Sequence, residues 1–252
     1  MTSDTSAPVF IGWDVGGWNC DKNPSSRDAL VVLDSQRNLL GRPWRGNLRR
    51  PINQSADTDS FISRLLGLCE LDANHFESAS VVLAIDTPLG FSQGFIDLVV
   101  NGQAADAIEG SSENPYLFRR TERFLFERGL NPLSALKDMI GSQATKGMHA
   151  LARFAPTIET CGVWTDQNRL RAIEAYPSAC KRSNTMAELH EQYGIGKSPD
   201  AGHPSHFHHA DQVDALTCAL IAWLFHFHSE KLVQPTAEIP VREGWIFAPV
   251  DG

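Results

Sequence analysis

The sequence lacks any pair of cysteines at the C-x-x-C spacing, and its five cysteines are too few and too scattered for a disulfide framework. An odd number of widely spaced thiols is typical of a protein that keeps its cysteines reduced. None of them has sequence neighbours that indicate an activated nucleophile. The sequence therefore excludes a small disulfide-stapled fold and favours a reducing compartment. The cysteines are Cys20, Cys69, Cys161, Cys180 and Cys218.

Long hydrophobic runs and excess positive charge are also missing. The most apolar segment, Ala215 to Phe225, has about eleven residues, whereas a helix that crosses a bilayer needs about 20. The first residues lack the basic start and apolar stretch of a secretion signal. Lys and Arg total 22 against 30 Asp and Glu, a net charge of -8, so no global positive field attracts phosphates. We expect a cytoplasmic protein without a membrane partner, in which any nucleic-acid contact is local.

The residues that are present have the composition of a folded globular protein, with 42% hydrophobic and 21% charged residues. A chain of 252 residues can bury most of its apolar surface in one large domain without a structural metal. We found no internal repeat and no low-complexity tract. These features predict a single folded domain over residues 8–252.

The first part of the chain predicts three antiparallel strands. Val9 to Val15 is rich in β-forming residues and ends at Gly16-Gly17, which places Asp14 at the end of a strand. Ala29 to Asp34 and Asn38 to Trp44 are two further strands joined by a short polar turn.

The middle of the chain predicts a helix, a buried strand and a long helical insertion. Asp57 to Glu70 has apolar residues at helical spacing, and Ser80 to Asp86 is an unbroken apolar run typical of a strand buried on both faces. From Phe91 to about Asn168 the pattern is mainly helical and has no sustained strand signal. We therefore predict a helical insertion over about 91–168.

The last part of the chain predicts a strand, a helix and a short final strand. Leu170 to Tyr176 is the strand and carries Glu174, and His209 to His228 is the helix. Glu238 to Pro249 contains the final strand. The element order predicts an α/β fold.

Acidic residues lie at the ends of several of these elements. Carboxylates that come together from separate elements repel one another, and a site that gathers them commonly holds hard divalent cations. Two such ions, about 3.5–4 Å apart, can activate water and stabilise the leaving oxygen of a phosphodiester. Mg²⁺ or Mn²⁺ is therefore the expected cofactor. The carboxylates are those of Asp14, Asp86, Glu174, Asp211 and Asp214.

Six short segments, in this order, resemble the uncharacterised family of predicted ribonuclease-H-like nucleases known as domain of unknown function 429. The resemblance covers nearly the whole chain. It implies a ribonuclease-H-like mixed five-stranded sheet, flanked by helices, with the first three strands antiparallel. It also implies acidic metal ligands on the first strand, the fourth strand and the last helix. The segments are GWDVGG (12–17), AIDTPLGF (84–91), NPYLFRRTERFL (114–125), EAYPSA (174–179), HHADQVDALTCALIAW (208–223) and EGWIFAP (243–249).

Carried over to this chain, the resemblance makes Asp14 the first-strand ligand that bridges both ions and Asp86 the fourth-strand ligand. HADQVDA (209–215) is similar to the last motif of RuvC-type junction resolvases, which makes Asp214 the final metal ligand. Asp211, three residues earlier on the same helix face, is then a second ligand or helps to position water. Two departures stand out. The fourth-strand acid is Asp rather than the Glu common in resolvases, and Glu174 has no simple resolvase counterpart.

Each acidic residue also has an ordinary structural explanation. Asp14 before Gly-Gly is a candidate turn former, and Asp86 before Thr-Pro can cap a turn or helix. Asp211 and Asp214 are favoured near a helix N-terminus by the helix dipole. Glu174 is a candidate ion-pair partner of Lys181 or Arg182.

Histidines and arginines near these segments offer further roles. His203, His206, His208 and His209 form a cluster without a cysteine partner, which argues against structural zinc. His208 or His209 is a candidate general base for the attacking water, and we assign the role to His209. The arginines of YLFRRTERFLFER (116–128) are candidate substrate-binding residues because guanidinium groups match phosphate oxygens. A solvated charged helix face is the alternative. These arginines are Arg119, Arg120 and Arg123.

The leading hypothesis is a metal-dependent nuclease or phosphodiesterase that acts on a nucleic acid or nucleotide. One alternative is an ATP-binding phosphotransferase of the actin and sugar-kinase superfamily, because D-x-G-G at 14–17 resembles the first phosphate loop of that group. The chain shows no second loop of this kind. The other alternative is a non-catalytic nucleic-acid-binding or scaffold protein on the same fold.

Overall fold

The computed structural model describes residues 7–108, 110–195 and 206–252, which form a mixed α/β structure around one open sheet. The described part of the chain contributes eight strands to this sheet, three more than the predicted five. They are β1 Val9–Asp14, β2 Asp28–Leu33, β3 Leu39–Gly46, β4 Val81–Asp86, β5 Thr157–Thr160, β6 Val163–Thr165, β7 Leu170–Ala175 and β8 Ile246–Phe247.

Helices cover the sheet, and the helices predicted at Asp57 to Glu70 and at His209 to His228 are both confirmed. None of the helices in the described ranges is long and apolar enough to span a membrane. They are α1 Arg49–Gln54, α2 Thr58–Leu68, α3 Gln93–Asn101, α4 Arg120–Glu127, α5 Gly141–Phe154, α6 Pro177–Cys180, α7 Asn184–Glu191 and α8 Ala210–Phe227.

The strand order is β3-β2-β1-β4-β7-β6-β5, and β8 pairs with β7. β1 is antiparallel to β2, and β2 is antiparallel to β3, as predicted. β4 lies parallel to β1 on one side and to β7 on the other, and β8 is also parallel to β7. The carboxyl ends of β1, β4 and β7 therefore meet at the same edge of the sheet.

The prediction of a helical insertion over about 91–168 is only partly correct. It contains α3, α4 and α5, but β5 and β6 then form an antiparallel hairpin that extends the sheet beyond β7. The turn of this hairpin includes Gly162, whose φ of 80° favours glycine. Strands of four and three residues are too short to produce a periodic signal in the sequence, which is why the prediction missed them.

The two faces of the sheet bury different residues because side chains alternate along a strand. On one face, Phe10, Val82 and Ala84 pack against α8. On the other face, Ile11, Leu83 and their neighbours pack against α2 and α5. The face to which a residue near a strand end belongs therefore decides which helix its side chain meets.

Candidate functional site

Asp14 and Asp86 are the last residues of β1 and β4 and are paired directly across the two parallel strands. Residues paired in this way point to the same face of the sheet. Asp14 lies an even number of residues after Phe10, and Asp86 an even number after Val82 and Ala84, so these side chains share one face of the sheet. Both carboxylates therefore lie on the face covered by α8. Both side chains are partly buried.

Gly12 determines how closely α8 approaches these carboxylates. A Cβ atom at residue 12 would lie 1.9 Å from the carbonyl oxygen of Ala215 and 2.4 Å from the amide nitrogen of Ala219, so only glycine fits. Asp214 immediately precedes Ala215, and Asp211 lies one turn earlier. The contact at Gly12 therefore brings the acidic first turns of α8 to the strand end that carries Asp14.

Burial and mutual repulsion raise the pKa values of these carboxylates. Burial raises the pKa of Asp14 well above its usual range, and repulsion by Asp86, Asp214 and Asp211 raises it further. Burial also raises the pKa of Asp86, with repulsion from Asp214 and Glu174. The pKa of Asp214 is raised by burial, an effect that Lys181 partly offsets and Asp211 reinforces. Asp14, Asp86 and Asp214 thus form a cluster in which negative charge is disfavoured; we call it the acidic cluster.

The acidic cluster has the donor atoms that Mg²⁺ or Mn²⁺ prefers. Within the residues that the structure describes, no protein cation or hydrogen-bond donor is bonded to its three carboxylates. In those same residues, no three His, Cys, Asp or Glu side chains converge into a complete metal-binding group. Mg²⁺ often binds proteins through only one or two carboxylates and keeps several waters. The donor set therefore fits an ion held by a pair of carboxylates and water.

Asp211 differs from the acidic cluster because it already has partners. Its Oδ2 accepts hydrogen bonds from the amide of Arg27, at 2.9 Å, and from Nε of Arg45, at 2.8 Å. Both its side chain and that of Arg45 are largely buried. This ion pair anchors the first turn of α8 to the hairpin of β2 and β3. Asp211 is placed to support the cluster and does not have a free carboxylate.

His209 is the N-cap residue of α8 and contacts Asp211. Its Nδ1 accepts a hydrogen bond from the Asp211 amide at 3.2 Å and lies 3.1 Å from Oδ1 of Asp211. A general base acting through Nε2 would require the other tautomer, in which Nδ1 gives up this bond and donates to the Asp211 carboxylate. His206 and His208 are exposed. His203 lies outside the described residues.

Glu174 points to the opposite face of the sheet from the acidic cluster. It is paired with Ile85 rather than with Asp86, so its side chain shares the face of Ile85. Its two oxygens accept hydrogen bonds from Nη1 and Nη2 of Arg119 at 2.8 and 2.6 Å, and Oε2 also accepts from the Leu89 amide at 2.9 Å. Glu174 is an ion-pair partner, but of Arg119 and not of Lys181 or Arg182.

Arg119 is only 2% exposed, so it is neither a solvated residue nor open to substrate. Besides Glu174, it contacts Oε1 of Glu122 at 2.9 Å and donates to the carbonyl oxygen of Glu243 at 3.0 Å. The carboxylate of Glu243 in turn accepts from the amides of Gln93 and Arg120. The expectation that Arg119 clamps phosphate, and its alternative of a solvated face, both conflict with this buried network.

Arg120 and Arg123 face a different part of the surface. They line a cavity of about 690 Å³ together with Glu113, Glu127 and Glu238, and the acidic cluster does not line it. Nη2 of Arg123 donates to the carbonyl oxygen of Glu113 at 2.9 Å. Neither arginine is brought to Asp14 or Asp86.

A cavity of about 150 Å³ lies directly at the paired ends of β1 and β4; we call it the edge cavity. Three of its residues come from the predicted insertion, which therefore covers this edge of the sheet. The others include three carboxylates and four apolar side chains. Its lining consists of Asp14, Val15, Asp86, Thr87, Pro88, Leu133, Ile140, Gln143, Glu174, Ala175, Tyr176 and Ile246.

Sequence reasoning missed a buried ion pair beside the site, between Asp28 and Lys146. Both side chains are fully buried, and Nζ of Lys146 donates to Oδ2 of Asp28. Asp28 also accepts from Nε1 of Trp13 at 3.1 Å and from the Gly16 amide at 2.9 Å. Lys146 further donates to the carbonyl oxygens of Gly16 and Gly17 at 3.2 and 3.3 Å.

This ion pair fixes the turn that follows Asp14 and ties it to α5. One signal was present in the sequence. Lys146 lies four and eight residues before the buried Ala150 and Phe154, on the apolar face of α5. A lysine on such a face requires a buried partner.

No family model, curated protein or solved structure matches this chain significantly. The resemblance to domain of unknown function 429 therefore stays a prediction, and the function must be argued from the site.

Proposed function

We propose that this protein is a metal-dependent nuclease or phosphodiesterase on a ribonuclease-H-like fold, with Mg²⁺ or Mn²⁺ as cofactor and a nucleic acid or nucleotide as substrate. The observation that carries the proposal is the pairing of Asp14 with Asp86, near Asp214, with no cation from the described residues bonded to their carboxylates. Three such carboxylates are costly to gather unless a ligand compensates their charge.

The topology also supports the proposal. Three antiparallel strands are followed by β4 on the other side of β1, and α8 packs over the strands with its acidic end near the carboxyl ends of β1 and β4. The ribonuclease-H-like superfamily, as the resemblance implies, has acidic ligands at these three places. The two additional short strands β5 and β6 and the two-residue β8 are then additions to the edge of the common sheet.

In this proposal Asp14, Asp86 and Asp214, together with water, would hold the ions, which when bound would supply charge neutralisation at the phosphate and an activated water. Asp211, anchored by Arg45, holds the start of α8 in place and orients His209. His209 in its Nδ1–H form accepts the proton of the attacking water at Nε2. The buried ion pair of Arg119 and Glu174 stabilises the neighbouring sheet edge.

The phosphotransferase alternative is less well supported because the turn after Asp14 is filled by the protein itself. The amide of Gly16 donates to Asp28, and the amide of Trp18 donates to Oγ of Ser142. A phosphate loop needs free backbone N–H groups in this turn. The alternative of a non-catalytic protein on the same fold is distinguished from an enzyme by the turnover measurement described next.

The first test is calorimetric titration of Mn²⁺ into the wild type, Asp14→Asn, Asp214→Asn and the exposed control Asp106→Asn. We expect binding by the wild type and Asp106→Asn and loss of affinity in the other two. Hydrolysis of bis(p-nitrophenyl) phosphate and of single-stranded and duplex DNA and RNA is then measured with Mn²⁺. Equal Mn²⁺ affinity in all four proteins would contradict the metal site. Mn²⁺ binding without turnover on any substrate would favour the non-catalytic alternative.

A further inference from the structure

Thr87, which follows Asp86, has a hydroxyl group that no described residue satisfies. The side chain is 4% exposed, and its Oγ1 is buried without a hydrogen-bond partner in the described part of the chain. Buried polar atoms in native proteins are nearly always hydrogen-bonded, because an unsatisfied hydroxyl is destabilising. An orphaned hydroxyl beside a candidate site therefore indicates a partner that comes from outside the chain.

The orientation of Thr87 is fixed by packing against α5. A Cβ atom at residue 147 would lie 2.6 Å from Cγ2 of Thr87, so Gly147 provides the space for that methyl group. A β-branched side chain has few rotamers, and the Pro88 ring restricts the backbone before it. With its methyl group held against α5, Thr87 cannot easily turn its hydroxyl elsewhere.

The edge cavity has few groups that can donate a hydrogen bond to an anion. Among its described lining residues none is Lys, Arg or His, and Tyr176 already donates its hydroxyl to the carbonyl oxygen of Asn131 at 2.7 Å. The side chains of Thr87 and Gln143 are the remaining neutral donors of the lining, which also contains the carboxylates of Asp14, Asp86 and Glu174. A phosphoryl group bound here would need the ions to offset the aspartate charges and would take its side-chain hydrogen bonds from neutral donors.

We propose that Thr87 is a substrate-binding residue whose Oγ–H donates a hydrogen bond to a phosphoryl oxygen in the edge cavity. This inference rests on the proposed function, since it is the ions at the acidic cluster that would draw phosphate to the cavity. It specifies how the substrate is held: a neutral hydroxyl donates to the phosphoryl oxygen, in place of a guanidinium or ammonium group.

The test compares Thr87→Val, which removes the hydroxyl and keeps the shape, with Thr87→Ser, which keeps the hydroxyl. Inorganic phosphate is titrated into the Mn²⁺-loaded proteins, and KM is measured with bis(p-nitrophenyl) phosphate. We expect Thr87→Val to weaken phosphate affinity and raise KM by about 10-fold or more, as for a lost hydrogen bond to a charged group. Thr87→Ser should stay within about 3-fold of the wild type, since the donor remains.

Thermal unfolding of the metal-free proteins supplies a readout that does not depend on activity. Thr121→Val is the matched control, because the buried Thr121 hydroxyl accepts a hydrogen bond from the Ile246 amide at 3.0 Å. We expect Thr121→Val to lower Tm and Thr87→Val to leave it unchanged or raise it. A Tm loss in Thr87→Val as large as that in Thr121→Val would show an internal partner and overturn the inference.

The remaining outcomes separate this inference from the proposed function. If the wild type binds Mn²⁺ and Thr87→Val binds phosphate as the wild type does, only the role of Thr87 is wrong. The same conclusion holds if the Mn²⁺-loaded wild type binds no phosphate. If the wild type binds no Mn²⁺, the proposed function fails and the inference fails with it.

Discussion

Asp14 and Asp86 end two parallel strands at paired positions, so their carboxylates lie side by side on the face that α8 covers. Repulsion by Asp86 contributes to the raised pKa of Asp14. Such a pair destabilises the folded state at neutral pH, where a neutral residue at either position would be more stable.

The stability of the wild type should depend on the charge of Asp14. Because its pKa is raised in the folded state, the folded protein binds this proton more tightly than the unfolded chain. The free energy of unfolding therefore falls as pH rises from the ordinary Asp range through the raised pKa. We expect Asp14→Asn to raise Tm at pH 7 by about 2–4 °C, which corresponds to about 1 kcal/mol for a chain of this length.

The gain in Asp14→Asn should vanish at a pH below the ordinary Asp range, where the wild-type carboxyl is also protonated in both states. Mn²⁺ at about 100 times its dissociation constant should stabilise the wild type by about 2.7 kcal/mol and the variant much less. Thermal scans over pH with and without Mn²⁺ measure both effects. A Tm of Asp14→Asn below that of the wild type at pH 7 would contradict the repulsion.

Arg119→Met should destabilise the protein because it leaves Glu174 and Glu122 buried without their cation. We expect a loss of about 3–5 kcal/mol in the free energy of unfolding, measured by urea denaturation. Arg171→Met is the matched control. Arg171 pairs with Glu159 at 2.9 Å at the surface, and its loss should cost at most about 1 kcal/mol. If Arg119 were a phosphate ligand instead, its variant would lose activity with little change in stability.

Gly12→Ala should push α8 away from β1, since the added Cβ would meet backbone atoms of Ala215 and Ala219 that cannot move independently. We expect a loss of more than about 3 kcal/mol, above the usual cost of overpacking, together with weaker Mn²⁺ binding. Gly67→Ala is the contrasting control because nothing lies within 4 Å of a Cβ there. In α2 that change should stabilise by about 0.5–1 kcal/mol. Equal effects of the two substitutions would disprove the close helix approach.

Lys146→Met should be strongly destabilising, because Asp28 would remain buried without its cation. The expected loss is about 3–5 kcal/mol. The double variant Asp28→Asn with Lys146→Met should lose less than the sum of the two single changes, since the two residues are partners. Urea denaturation of the four proteins gives this coupling. Additive losses would show that the pair is not coupled in solution.

Local sequence patterns were sufficient for most of the elements. The β-forming residues and the turn at Gly16-Gly17 predicted β1, and the polar turn before Asn38 predicted the hairpin of β2 and β3. The helical spacing of apolar residues predicted α2, which the structure shows to be capped by Asp57, whose carboxylate accepts a hydrogen bond from the Ser60 amide at 2.8 Å. These features depend on contacts between residues close in sequence, which is why they are visible without the fold.

The candidate site was only partly accessible in this way. Acidic residues at strand ends pointed to Asp14 and Asp86, and parallel pairing places such ends together. Whether Glu174 joined them depended on register, because a shift of one residue between β4 and β7 moves its carboxylate to the other face. The same holds for Arg119, whose burial is produced by partners 55 and 124 residues away in the sequence.

The sequence by itself determined the elements and the positions of the acidic residues at their ends, because strand alternation, helix spacing and turn residues act locally. Only the tertiary structure decided which of these residues share a space. The strand register places Asp14 and Asp86, but not Glu174, on the face covered by α8. The contact of Gly12 with α8 brings Asp214 towards them. Ion pairs with residues far apart in the sequence bury Arg119 against Glu174 and bury Lys146 against Asp28, under the turn after Asp14. Such contacts join residues far apart in the chain, and no local pattern specifies their partners.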